Sequence, residues 1–205
     1  MITAPEALQR LIEGNRRFVD ATSNNEPHLV SARRANLASE QHPFAIILGC
    51  SDSRVPAELV FDQGLADLFV IRVAGNIVAP SQVGSVEFAA SRYGVQLVVV
   101  LGHSQCGAIA ATIEELQQPA EDQSRNLRSI VERVRPSVEG LLQTELRHDL
   151  KTLTAHAVRS NVSVSVSQLR YGSPVLEQLI RNDGLRIVGA EYSLETGEVH
   201  FFDGV

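Results

Sequence analysis

Three short runs of valine, isoleucine and leucine constrain this chain most: Phe44 to Gly49, Leu68 to Ala74 and Leu97 to Gly102. None alternates apolar with polar residues, as a half-solvated strand does. Each has the pattern of a strand covered on both faces. Segments of helical period lie between them. Pro56 to Asp62 opens with proline at a first-turn position, and Ser81 to Tyr93 closes at Gly94 as a C-cap. Strand and helix in alternation predict an α/β fold whose parallel strands are joined by right-handed crossovers.

The flanking segments are less regular. Residues 4 to 20 put Leu8, Leu11, Ile12 and Phe18 at approximate helical spacing. That amphipathic helix has no neighbour in sequence, so its apolar face is expected to pack elsewhere, even on another subunit. Residues 21 to 43 read as a polar loop with room for one short helix. Two or three helices are expected from Gln123 to Tyr171, interrupted near Pro136 and Gly140. Within them Asn161-Val162-Ser163-Val164-Ser165-Val166-Ser167 alternates with period 2, the signature of a half-buried strand, although we assign it to helix. A short helix starts at Ser173-Pro174 and ends at Asn182-Asp183-Gly184. Leu185 to Leu194 and Glu198 to Asp203 then form a hairpin around Glu195-Thr196-Gly197.

Composition narrows the function. With 205 residues, 44% of them hydrophobic, the chain buries one full core and is too short to favour two. Its net charge of -6 comes from 24 acidic and 18 basic side chains that are scattered, without a basic block to neutralise a row of phosphates. No nucleic-acid partner is expected. The N-terminus lacks the apolar centre of a signal peptide, and no stretch reaches the roughly 20 apolar residues of a membrane span. A cytoplasmic protein without a membrane partner is therefore predicted. Cysteine pairs in a reducing compartment are ligands or reactive groups more often than disulfides, and Cys50 and Cys106 are the two cysteines present.

Both cysteines fall where a strand ends. Cys50 follows the first run in Gly49-Cys50-Ser51-Asp52-Ser53-Arg54, and Cys106 lies three residues past His103 in Gly102-His103-Ser104-Gln105-Cys106-Gly107. Open α/β sheets bind ligands outside the carboxyl ends of their strands, so the two segments bring Cys50, Asp52, His103 and Cys106 together. Two thiolates, an imidazole and a carboxylate are donors that a tetrahedral zinc ion takes, and His103 and Cys106 are close enough in sequence to reach one metal. Plainer readings compete. The cysteines could be small buried hydrophobes or a redox dithiol, Asp52 and Arg54 a surface ion pair of little worth, and Gly102 and Gly107 parts of a tight turn. The joint position of the four groups favours the metal.

These two motifs closely resemble the signatures of the beta-class carbonic anhydrases, and Phe69-Val70-Ile71-Arg72-Val73-Ala74-Gly75-Asn76 resembles the second-strand segment of that family. The likeness extends over residues 5 to 203. It implies one zinc ion per chain and reversible hydration of carbon dioxide to bicarbonate. It also implies a homodimer or dimer of dimers, with the cleft at the subunit interface and the N-terminal helices wrapped around the partner. The implied fold is a mostly parallel central sheet, about four parallel strands plus an antiparallel edge strand, flanked by helices. Residues 1–205 then form a single domain: an N-terminal helical arm (1–40), a zinc-site core (44–120), a helical region (121–184) and a C-terminal hairpin (185–203).

By that resemblance Cys50, His103 and Cys106 hold the metal, with Asp52 as a fourth ligand in a closed state. Arg54 would draw the Asp52 carboxylate into a bidentate pair, opening the fourth position to a water whose pKa zinc lowers from 15.7 to about 7. Asp52 would then accept a hydrogen bond from the zinc-bound hydroxide and orient it. The substrate pocket implied comprises Gln41, Phe69, Ala74, Phe88 and Gly107, with Gln41 as the donor. Ala74 replaces a usual valine and Phe88 a usual tyrosine. A non-catalytic bicarbonate site would use Arg72 and Tyr192, but Ile47 stands where that site has tryptophan, so strong bicarbonate inhibition is expected to be absent or altered.

Two rivals keep the zinc. One hydrolyses carbon disulfide or carbonyl sulfide on the same scaffold. The other is a non-catalytic zinc-stabilised subunit with Asp52 permanently on the metal, a role that requires neither Arg54 nor Gln41. His148, His156 and His200 are candidate proton carriers only because histidine titrates near neutrality; ordinary surface histidines are the plainer reading. The cytoplasmic assignment is compatible with a microcompartment inside the cytoplasm.

Overall fold

The structure is a computed structural model that describes residues 2–22, 37–38, 40–118 and 124–205. Five strands, β1 (Ala45–Gly49), β2 (Leu68–Arg72), β3 (Leu97–His103), β4 (Arg186–Tyr192) and β5 (Val199–Asp203), form one sheet in the order β2-β1-β3-β4-β5. The first four run parallel, and β5 pairs antiparallel with β4 at the edge. Every residue of β1 and β3 is buried, and burial on both faces removes any reason for these strands to alternate. Each fully buried Val, Ile or Leu there contributes about 1.5–3 kcal/mol.

Helices cover both faces. They are α1 (Ala4–Val19), α2 (Ala57–Val60), α3 (Pro80–Tyr93), α4 (Gly107–Gln117), α5 (Arg125–Val134), α6 (Glu139–Leu142), α7 (Leu150–Tyr171) and α8 (Pro174–Asn182). On one face Ala7 and Leu11 of α1 and Val60 of α2 pack with Ile47, Val99 and Val188. On the other, Val86 of α3, Val162 and Val166 of α7 and Leu176 of α8 pack with Ile46, Leu48, Val98 and Val100. A third cluster at the carboxyl end of the sheet joins Ile109 and Ile113 of α4, Val134 of α5 and Leu153 and Val158 of α7 to Cys50 and Cys106.

Several expectations are corrected in detail. α1 packs elsewhere as expected, and on its own chain: Ala4, Ala7 and Leu11 are buried in its core. Asn15 ties it further, donating to the carbonyls of Val60 and Gly197 and accepting from the Val199 N–H. These partners of Asn15 lie 45 to 184 residues away in sequence, beyond the reach of local pattern. Pro56 is the N-cap of α2, not a first-turn residue, because its ψ of 108° is extended. The second strand stops at Arg72, and the backbone turns into a 3-10 turn at Ala74–Asn76. The reading of residues 21 to 43 lies mostly outside the described residues.

The alternating stretch is helical, within α7. Asn161, Val162, Ser165, Val166 and Leu169 are buried, and Ser163, Val164, Ser167 and Gln168 are not, a repeat near four rather than two. α7 lies so close to β3 that a Cβ on Gly102 would sit 2.5 Å from Val162 Cγ2. Glycine at that position lets the helix seat against the strand that carries His103.

Candidate metal centre

The carboxyl ends of β1 and β3 deliver the site. Cys50 follows β1, His103 ends β3, and Cys106 caps the start of α4. The two Sγ atoms and the ring nitrogen of His103 lie within 4.8 Å of one another, and all three residues are buried. His103 Nδ1 faces the carbonyl of Ser104 at 2.9 Å. With the proton on Nδ1 that contact is a hydrogen bond, and the bare Nε2 points inward. Nε2 is buried without a hydrogen-bond partner among the described residues. A buried orphan lone pair beside two thiols fits a soft-to-borderline cation, and this donor set fits zinc. Cys50 and Cys106 are free cysteines.

Electrostatics favours a thiolate here. The hydrogen bond from Cys106 outweighs burial and lowers the Cys50 thiol, with the Gly75 N–H adding at 3.3 Å. Cys106 moves the opposite way, pushed up by that same hydrogen bond and by burial. The pair thus shares a proton that a metal would displace.

Asp52 stands beside this cluster and is held by Arg54. Its carboxylate accepts from Arg54 Nε at 2.9 Å, Nη2 at 2.8 Å and the backbone N–H at 3.0 Å, a fork-on-fork pair. Those side-chain hydrogen bonds hold Asp52 well below the usual carboxylate range. Asp52 Oδ2 lies 3.9 Å from His103 Nε2. Arg72 secures the same segment from below, donating to the carbonyls of Cys50 at 2.9 Å and Asp52 at 2.5 Å. Tyr192, by contrast, packs against Phe18 across 6.5 Å, and Ile47 is fully buried in the core.

The remaining predicted pocket residues fall into two groups. Ala74 and Gly107 adjoin the ligands: Ala74 precedes the Gly75 amide on Cys50, and Gly107 follows Cys106, with open space where its side chain would be. Gln41, Phe69 and Phe88 gather at the β2 edge. Phe69 lies 6.3 Å from Phe88 and 6.2 Å from Tyr93, whose hydroxyl accepts from Gln41 Nε2 at 3.0 Å. Phe88 is 52% exposed. His148 and His156 are exposed in the helical region, and His200 contacts Arg159 on the far side of β4.

Sequence reading missed Glu195, which it took for a turn residue only. Its carboxylate accepts from Ser104 Oγ at 2.8 Å and Gln105 Nε2 at 2.5 Å, clamping the two residues between His103 and Cys106. Gln105 needs such a clamp, because its φ of 54° is left-handed and it carries a side chain. The hydrogen bond from Ser104, then that from Gln105, lowers Glu195 from 4.5 to about 2. A depressed carboxylate stabilises the fold fully above its unfolded value and loses that contribution as pH falls through its folded one. Glu195→Ala should therefore melt below the parent at neutral pH, with the gap closing between pH 4.5 and about 2; a gap constant across that window in thermal melts would discount the clamp.

Residues 45–199 match the carbonic anhydrase family model. The chain is 40% identical over 193 residues to a carbonic anhydrase of Mycolicibacterium smegmatis, covering 94% of this chain and 90% of the relative. It is 38% identical over 199 residues to carbonic anhydrase 2 of Mycobacterium tuberculosis, covering 97% and 93%. The solved beta-carbonic anhydrase CcaA aligns with 98% of this chain and 89% of its own, at a TM-score of 0.74 and 28% identity. No described helix is long and apolar enough to cross a membrane. Matched in sequence over the sheet and both cysteine segments, and in fold over nearly its whole length, the chain belongs to the beta-class carbonic anhydrases.

Proposed function

We propose that this protein is a zinc carbonic anhydrase interconverting carbon dioxide and bicarbonate at the Cys50, His103 and Cys106 cluster. One observation carries the reading: Asp52 is engaged by Arg54 in a bidentate pair beside the ligand cluster, so three protein ligands remain and a fourth position is left for water. A zinc ion held there supplies a bound water of pKa about 7. The protein does the rest. Cys50 and Cys106 balance the charge of a divalent ion, and the Ser104 carbonyl fixes the His103 tautomer. Asp52, ionised and acceptor-only, would accept a hydrogen bond from a water held at that position and orient it toward the substrate, while Arg54 would keep the carboxylate from becoming a fourth ligand.

Carbon dioxide is small and apolar, and Phe69, Ala74 and Phe88 with the Gly107 backbone suit it, Gln41 being the donor to its oxygen. Gln41, Phe69 and Phe88 gather at an edge strand whose outer side is unpaired among the described residues, with Phe88 half exposed. A homodimer formed there, alone or as a dimer of dimers, completes each pocket from two chains. The two free thiols suit a cytoplasmic setting.

The deciding experiment is stopped-flow hydration of carbon dioxide from about pH 6.5 to 9, with zinc measured on the same sample. Activity that rises with pH at about one zinc per chain is expected. Full zinc with no hydration at any pH would overturn the reading in favour of a structural metal, and turnover of carbonyl sulfide alone would move it to the sulfur substrates.

A further inference from the structure

The buried polar residues of α7 have no role in the mechanism above, yet they hold the turn whose N–H meets Cys50. We propose that Asn161 and Ser165 are positioning residues for the Cys50 ligand: they hold the backbone of Gly75 and Asn76 so that the Gly75 N–H stays on the Cys50 sulfur. The inference rests on the zinc reading of the site.

The contacts form a continuous chain. Asn161 Nδ2 donates to the Gly75 carbonyl at 2.7 Å, Ser165 Oγ donates to the Asn76 carbonyl at 3.1 Å, and the Gly75 N–H donates to Cys50 Sγ at 3.3 Å. Residues 161 and 165 are one helical turn apart and so meet two consecutive carbonyls of the turn.

That turn is one that would relax if released. Gly75 has φ 72° and Asn76 φ 42°, two left-handed residues in succession, the second with a side chain. Such a backbone persists only where its surroundings over-determine it. α4 and α5 confine it on the other sides, since a Cβ on Gly75 would lie 3.2 Å from Ala108 and 3.4 Å from Val134.

Packing alone does not account for these polar groups. Asn161 and Ser165 are 1% and 2% exposed among Val158, Val162 and Val166. Asn161 Oδ1 has no partner among the described residues, a cost that an apolar side chain there would not incur. What the polar side chains add is the hold on the turn. An N–H on a ligating sulfur draws electron density from it, and partners behind a metal ligand commonly govern metal affinity 10- to 100-fold.

The test uses full-length protein loaded with zinc or with cobalt(II), carrying Asn161→Leu, Ser165→Ala or Ser165→Thr. Zinc release to a chromogenic chelator and the cysteine-to-cobalt charge-transfer band are recorded; a merely structural role would move neither. Asn161→Leu is expected to release zinc about tenfold faster and to shift the band to longer wavelength. Ser165→Ala should move both in the same direction by less, and Ser165→Thr, which keeps the hydroxyl, should match the parent. A folded Asn161→Leu protein with parental release and band overturns the inference, whatever its melting temperature. If Asn161→Leu does not fold, the serine pair decides: a parental Ser165→Ala overturns it, and a shifted Ser165→Ala with a parental Ser165→Thr supports it. A parent that takes up neither ion overturns the zinc reading itself and the inference with it.

Discussion

Arg54→Ala is expected to keep about one zinc per chain and to lose at least about 100-fold in kcat/KM for carbon dioxide hydration. The substitution removes two of the three hydrogen bonds to Asp52, those from Nε and Nη2, and leaves the backbone N–H. Asp52 Oδ2 already lies 3.9 Å from His103 Nε2, so a released carboxylate has only a short swing to the metal. A free carboxylate that reaches a divalent cation binds it and displaces the water. Arg54→Lys should recover only part of the activity, because an ammonium keeps the charge but not the planar fork. Asp52→Asn gives the contrast: an amide is a poorer ligand, so the fourth position opens while the acceptor that orients the water is weakened. Rates and zinc content measured together on the three variants decide the matter. An Arg54→Ala enzyme within about threefold of the parent at full zinc would show that the pair does not gate the metal.

Much of this was legible in the sequence because the relevant physics is local. β1 and β3 are buried on both faces, and that alone prints an unbroken apolar run. The placement of the candidate ligands follows from the same runs, since Cys50 and His103 stand where the apolar pattern stops. What was not legible depends on partners remote in the chain. The partner of α1 is not legible because Val60, Gly197 and Val199, which satisfy Asn15, are up to 184 residues away. The serines and valines of α7 alternate like a strand, and their assignment to helix holds, but the four-residue repeat in burial that accounts for them depends on the neighbouring sheet and turn. Glu195 is hidden for the same reason: the hairpin forms where the sequence predicts it, but nothing in Glu195-Thr196-Gly197 says that its first residue reaches Ser104 and Gln105. The proposed pocket is the least legible part, since Gln41, Phe69 and Phe88 form a group of their own at the sheet edge, apart from the Cys50, His103 and Cys106 cluster.

Cys106→Ala tests the metal from the opposite side and should give an inactive protein for a different reason. The residue is 1% exposed at the N-cap of α4, and its side chain makes no capping hydrogen bond, so α4 does not depend on the sulfur. Truncation inside the apolar cluster of Ile109, Val134 and Leu153 should cost about 1 kcal/mol of stability, and the fold should persist. Zinc should not. An apparent affinity of about 10–16 kcal/mol spread over four positions puts one thiolate at roughly 2.5–4 kcal/mol, or about 60- to 700-fold in affinity. Cys50 and His103 remain, and Asp52 is committed to Arg54. The variant should therefore emerge from dialysis folded, nearly free of zinc, and no faster than the uncatalysed reaction. Set beside Arg54→Ala, it separates the two ways of silencing the site, an empty metal position and a filled but closed one. A Cys106→Ala protein that holds zinc and hydrates carbon dioxide would place the metal elsewhere, and the convergence of His103, Cys50 and Cys106 at the end of the sheet would then be packing alone.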